Sequence, residues 1–328
     1  ELEEYFGSQI PKYAILSHCW GVEEVEFQHI NGSEWHGMCG ATKIQYASSQ
    51  CKKEGLRYIW IDTCCIDKSS SAELSEAINS MYGWYEGSVV CYAYLEDVGR
   101  ALSTQTSYGP SNKDKTVEES RWFTRGWTLQ ELIAPAKVDF FDNQWQYLGR
   151  KEDLSPLLSR ITSIPEDVLT KPENRRDCSV AKKMAWAAKR QTTRIEDVAY
   201  SLFGIFDVNM PLLYGEGRGA FTRLQEEILK ETDDQSLLAW GLVGNRNLDR
   251  PMDTGVFANS PDAFLGSEDV VPFPSKPRRQ PHSVTNKGVR IELPVTRNTE
   301  SGFYPRCEFA ILDCQIKDDF SGAIGIPL

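Results

Sequence analysis

Four short apolar runs set the frame of this chain: residues 13–18 (YAILSH), 58–62 (YIWID), 88–95 (SVVCYAYL) and 138–142 (VDFFD). Each is rich in β-branched or aromatic side chains and bounded by turn residues, the pattern of a buried strand. Helical periodicity fills the intervals. In residues 41–54, Ile44, Ala47 and Cys51 recur at spacings of three and four, and Gly55 follows as a stop. Ser70 and Glu73 have the spacing of a capping box. The helix they open presents Leu74, Ala77, Ile78, Met81, Tyr82 and Tyr85 to a core. Residues 121–133 predict a short helix that ends before Pro135. Such alternation requires right-handed crossovers, so the fold expected is α/β, a mainly parallel sheet with flanking helices. Loops after the strand C-termini then open on one edge, where ligands bind near the switch in strand order. That rule groups the loop from Ser17 to Gly21, the loop from Asp62 to Asp67, Glu96, and the helix bearing Glu131.

Past residue 150 the character changes twice. Residues 151–240 predict a helical extension, with periodic segments at 180–189, 195–206 and 216–231. The last has Phe221, Leu224 and Ile228 on one face and a Glu226–Lys230 pair at i, i+4. Leu202, Phe203, Phe206, Leu213, Phe221 and Leu224 are expected to be buried and to tie this region to the core as one unit. In 241–328, Pro251, Pro261, Pro272, Pro274, Pro277 and Pro281 interrupt the chain. Residues 288–295 (GVRIELPV) and 307–316 (CEFAILDCQI) then predict a small antiparallel β region. The expected division is therefore 1–150, 151–240 and 241–328. Residues 99–120, rich in Ser, Thr, Gly and Lys, predict a mobile loop.

Charge and cysteine content narrow the function classes. A net charge of −11 and a pI near 5.0 argue against a nucleic-acid partner, which needs a basic stripe. No run of eighteen apolar residues suggests a membrane span, and no leader is visible, so a cytoplasmic protein is expected. The start at Glu1 and the abrupt end at Leu328 are expected of an excised piece. The nine cysteines, without a CxxC pair, read as free thiols in a reducing compartment rather than metal ligands. Cys64 and Cys65 are expected to point to opposite sides of an extended chain.

Three stretches carry a family resemblance: 13–21 (YAILSHCWG), 58–68 (YIWIDTCCIDK) and 121–135 (RWFTRGWTLQELIAP). In this order they resemble the signature of the fungal heterokaryon-incompatibility (HET) domain, a cell-death module. A fourth, 197–228, is similar to the segment that follows in many fungal members, so the likeness runs from about Tyr13 to Trp240. HET domains are in turn similar to Toll/interleukin-1 receptor (TIR) domains, which implies a TIR-like, flavodoxin-like sheet. Trp127-x-x-x-Glu131 resembles the TIR helix written WCxxE, with Thr128 where that pattern has Cys.

In enzymatic TIR domains that glutamate is essential for cleaving NAD at the nicotinamide–ribose bond. The resemblance implies Glu131 as catalytic carboxylate, and Ser17, His18, Trp20, Gly21, Asp62 and Trp127 as ligand-binding residues. It implies no cofactor, since NAD is the substrate. It implies self-association, fusion to a nucleotide-binding oligomerisation domain, and a role in innate self/non-self recognition. The alternative it leaves open is a non-catalytic assembly module.

Each of these residues also has a bland reading. Glu131 alone describes a solvated helix carboxylate, Asp62 and Asp67 turn caps, His18 a packed strand end, and Trp20 a core aromatic. Arg125 could meet a phosphate or form a surface ion pair. The 214–219 stretch (YGEGRG) lacks the lysine of a phosphate loop and reads as a tight turn into a helix. Ser17 and His18 face opposite sides of a strand, so with Asp62 they do not form a hydrolase triad.

Overall fold

The computed structural model describes residues 2–99, 115–242, 255–273, 282–297, 308–319 and 322–328. They fall into two compact units, Glu1–Glu173 and Asn174–Leu328. Most of the segment predicted as a mobile loop, residues 100–114, lies outside the described residues.

The first unit runs β1 (Tyr13–His18), α1 (Phe27–Ile30), α2 (Ala41–Lys53), β2 (Tyr58–Ile61), α3 (Ser71–Glu86), β3 (Val90–Tyr94), α4 (Thr128–Ile133), β4 (Val138–Phe141), β5 (Tyr147–Arg150), α5 (Ser155–Thr162) and α6 (Glu166–Thr170). The strands form one sheet in the order β2-β1-β3-β4-β5. The first four are parallel, and β5 turns back antiparallel on β4. Ala14 stands opposite Ile59 and Val90, which makes β1 the central strand of the three predicted neighbours. Strand order reverses at β1, so the two crossovers leave on opposite faces. On one face, Ala14 and Leu16 pack with Ala41, Ile44, Ala47 and Cys51 of α2. On the other lies Ser17, facing α4, with Tyr85 of α3 behind it. β3 and β4 are buried along their whole length, as strands covered on both faces must be.

Local chemistry sets the helix ends. Gly55, at φ +74, ends α2, and the Leu56 amide returns to the Cys51 carbonyl. At α3 half of the expected capping box forms. The Ser70 hydroxyl accepts from the Glu73 amide, but the Glu73 carboxylate accepts from Asp67 instead of closing on Ser70. The predicted helix over 121–133 is two pieces, a 3-10 turn at Arg121–Thr124 and then α4. The Thr128 hydroxyl, donating to the Trp122 and Arg125 carbonyls, stitches the break between them.

The second unit contains α7 (Val180–Ala187), α8 (Asp197–Tyr200), α9 (Phe203–Phe206) and α10 (Gly219–Glu231). Short strands follow: β6 (Val270–Pro272), β7 (Ser283–Thr285), β8 (Gly288–Arg290), β9 (Val295–Arg297), β10 (Glu308–Ile311), β11 (Cys314–Ile316) and β12 (Gly325–Pro327). They pair antiparallel as β12-β10-β9, β11-β6 and β7-β8, as expected for this region, but each expected strand is divided between two sheets, 288–295 into β8 and the start of β9 and 307–316 into β10 and β11. Leu202, Phe203, Phe206, Phe221 and Leu224 are buried, but Leu213 is 51% exposed. Leu213 lies in the irregular stretch before α10, where helical spacing does not govern orientation. The YGEGRG stretch is the tight turn expected: Glu196 accepts from the Gly215 and Gly217 amides, both glycines having positive φ. The expected Glu226–Lys230 pair is replaced by Lys230 with Glu227 at i, i+3.

Candidate functional site

The C-terminal edge of β1 carries two arrangements, one on each face of the sheet, because consecutive strand residues alternate. Ser17 begins the first. Its hydroxyl accepts from Trp122 Nε1 at 2.8 Å and donates to Glu131 Oε2. With the indole N–H on an oxygen lone pair, the Ser17 proton is directed at the carboxylate. Tyr85, whose hydroxyl lies 3.3 Å from the Leu16 carbonyl, also hydrogen-bonds Glu131. Ser17, Tyr85, Trp122 and Glu131 are all buried. Burial, and next the negative charge of Asp62, push the Glu131 carboxyl up to about 8, against the smaller opposing pull of Ser17, Tyr85 and Arg125. At neutral pH Glu131 is therefore largely protonated.

The helix that carries Glu131 is short, and all six of its residues are buried. Its C-terminal carbonyls are met by a buried lysine. Lys151 Nζ donates to Pro135 O at 2.5 Å and Leu132 O at 3.1 Å, with Ile133 O at 3.4 Å. A cation there complements the helix dipole and satisfies acceptors that would otherwise be orphaned. Burial pulls the Lys151 ammonium down to about 8. Trp127, half-buried at the N-cap of α4, contributes its carbonyl to the Glu131 amide at 3.5 Å.

The second arrangement begins with His18 on the opposite face. Its buried ring lies 3.8 Å from Glu24 Oε2 and 3.8 Å from Asp62 Oδ1, too far for hydrogen bonds. Burial, then Lys43 and Lys68, hold its pKa far down, so the ring is neutral. Glu24 pairs with Lys43 of α2 at 2.5 Å, and the same carboxylate accepts from the Gly21 amide. Trp20, 45% exposed, donates Nε1 to Asp62 Oδ2 at 2.7 Å and carries the Lys68 ammonium 3.7 Å above its ring. Burial raises the Asp62 pKa, and Lys68 is the first of the influences that oppose it. A shallow pocket of about 130 Å³ opens here, lined by Gly21, Glu23, Glu24, Gly40, Tyr94 and Glu96 among others.

The expected site residues are thus split. Glu131 meets Ser17 and feels Asp62, as the loop rule expects. It does not line an open cleft, because α4 is buried all round. His18, Trp20, Gly21 and Asp62 form a separate network, since alternation along β1 sends His18 away from Ser17. Tyr85, Trp122 and Lys151, which complete the Glu131 environment, were not singled out by sequence reasoning. Trp122 stands in the 121–135 stretch, and Tyr85 appears only as a core position. Among the described residues no cluster of His, Cys, Asp or Glu has the geometry to hold a metal ion.

A family model described as heterokaryon incompatibility protein (HET) matches residues 13–109, which span β1 to β3 and the loops after β1 and β2 but end before Trp122 and α4. The chain carries a HET domain. Over 228 residues it is 45% identical to vegetative incompatibility protein HET-E-1 of Podospora anserina, which covers 69% of this chain. The matched region is 17% of that relative's length, so the chain spans a minor part of it. A second model, described as a domain of unknown function (DUF8212), matches residues 219–263, which include α10. No solved structure matches the chain.

Proposed function

We propose that this chain is the effector part of a fungal vegetative-incompatibility protein, and that its HET domain hydrolyses NAD at the nicotinamide–ribose bond. The observation that carries the reading is the Glu131 carboxyl, held on the end of β1 by Ser17 and Tyr85. The strand order with parallel β1 to β4 supports kinship with TIR-like, flavodoxin-like sheets. The position of α4 between β3 and β4 supports the likeness of its Trp127-x-x-x-Glu131 to the TIR helix that bears the catalytic glutamate.

Glu131 is the group that acts on the reacting bond. As nicotinamide departs, the ribose gains oxocarbenium character and water completes the reaction to ADP-ribose. A carboxylate beside that positive charge stabilises the transition state more than the ground state. In the resting domain burial keeps Glu131 protonated. A cationic nicotinamide riboside beside it favours ionisation, so the charge appears only when the substrate is in place. Ser17 and Tyr85 then act as positioning residues that hold one carboxylate rotamer, and Trp122 fixes the Ser17 hydroxyl. The burial of Glu131 makes a local opening of the α4 region part of the cycle. The same burial favours a second reading, in which the domain is a non-catalytic module that assembles partners or copies of itself.

Purified protein incubated with NAD, alone and under forced oligomerisation, is expected to release free nicotinamide. Glu131→Gln is expected to slow release by roughly two to three orders of magnitude, equivalent to about 3–4 kcal/mol. Wild-type protein inert toward NAD in both states would leave the assembly reading in its place. Release that survives Glu131→Gln would reject Glu131 as the acting group.

A further inference from the structure

The loop after β2 holds two neighbouring thiols in a geometry that an extended chain would not allow. The Cys64 and Cys65 amides both return to the Ile61 carbonyl, at 3.2 and 2.8 Å, so the backbone makes a tight helical turn immediately after the strand. The turn sets both side chains against the Ile61 peptide: the Cys64 thiol donates to the Ile61 carbonyl at 3.9 Å, and each thiol shifts the titration of the other. The Ile61 amide also points at Cys65 Sγ, 3.4 Å away. Cys64 is buried, whereas Cys65 is partly exposed. Cys65 is therefore the more accessible residue of the pair, and Cys64 is its neighbour in the chain.

We propose that Cys64 and Cys65 form a peroxide-responsive dithiol, with Cys65 as the attacked thiol and Cys64 as the resolving one. The Cys65 thiolate attacks a peroxide oxygen. The O–O bond breaks, the sulfur is oxidised to a sulfenic acid, and the departing oxygen leaves as water after taking a proton. The Cys64 thiol then attacks the sulfenic sulfur, forms the Cys64–Cys65 disulfide and expels a second water. In total two thiols lose two electrons and two protons to one peroxide.

The environment favours this order. The neighbouring Cys64 thiol, assisted by the Ile61 amide, holds the Cys65 thiol below its ordinary pKa, although burial opposes it. The same proximity, followed by burial, pushes the Cys64 thiol up. Cys39 is more exposed but reacts less readily, because its hydrogen bond to Glu23 raises its pKa. Adjacent Cα atoms are about 3.8 Å apart, closer than disulfides usually span, so the bridge is strained and easily reduced. That suits a reversible modification rather than a structural staple. Formation of the bridge also reshapes the turn between Asp62 and Lys68, the two residues that grip Trp20.

The test uses the full 328-residue chain treated with graded hydrogen peroxide, alkylated after denaturation and digested with trypsin. The peptide from Tyr58 to Lys68 contains both thiols and no other cysteine. It is expected to lose alkylation at both positions together and to appear about 2 Da lighter than the reduced peptide. Dithiothreitol should restore it. Half-conversion is expected at a dose about tenfold below that which oxidises Cys39. In Cys64→Ser, Cys65 should be trapped by dimedone as the sulfenic acid. In Cys65→Ser, Cys64 should stay reduced at the same dose. A peptide that remains doubly alkylated while Cys39 is oxidised would overturn the proposal, and so would preferential dimedone capture at Cys64.

Discussion

Glu131→Gln should stabilise the first unit, increasingly so as pH rises from mildly acidic to mildly alkaline. The carboxyl keeps its proton to about pH 8 in the folded chain, against an ordinary value of 4.5. Between those values the folded state binds a proton that the unfolded state has released. Stability conferred by the neutral carboxyl is therefore whole below pH 4.5 and drains as pH rises, at about 1.4 kcal/mol per pH unit. By pH 7 the wild-type loss reaches roughly 3 kcal/mol, and it levels off above about 8. The introduced amide is not ionised in either state and its oxygen still accepts from Ser17, so the variant escapes the loss. For a unit of this size, 3 kcal/mol corresponds to roughly 6–12 °C in melting temperature. Thermal denaturation of both proteins at pH 5, 7 and 8.5 measures the gap. It is expected to be small at pH 5 and to widen at 7 and 8.5. Parallel melting curves at all three pH values would mean that Glu131 is ionised in the folded chain, and the protonated resting state would be refuted.

Gly40→Ala probes the join between the β1 loop and α2. A Cβ there would lie 2.8 Å from the Glu23 carbonyl oxygen and 3.1 Å from the Glu24 Cα, both backbone atoms, so a loss of about 1–3 kcal/mol is expected in chemical denaturation. In the second unit, Phe221→Ala should cost about 3–5 kcal/mol, whereas Leu213→Ala should stay within about 0.5 kcal/mol, because the first side chain is buried and the second half-exposed. Equal melting shifts for the two would show that burial does not govern stability in this unit.

Periodicity, turn chemistry and motif order lie in short stretches of sequence, and those features were legible before the fold. The runs at Tyr13, Tyr58, Ser88 and Val138 became β1 to β4 to within a residue or two at each end, because buried parallel strands are apolar throughout. The Gly55 stop and the YGEGRG turn were readable for the same reason: backbone at positive φ selects glycine locally. The motif stretches named the family, and they placed Ser17 and Glu131 at one sheet edge. Tertiary structure alone decided how those residues are used. Ser17 and His18 are sequence neighbours, yet alternation along β1 sends one to Glu131 and the other to Glu24 and Asp62. Whether Glu131 is solvated or buried depends on Tyr85 of α3, Trp122 of the turn just before α4 and Lys151 after β5, which close around α4 only when the sheet has formed. Cys64 and Cys65 looked like strand residues, but the turn onto the Ile61 carbonyl set both sulfurs against one peptide unit. A one-dimensional pattern fixes which face a residue can reach. The partners waiting there, and the dielectric they impose, are properties of the assembled core.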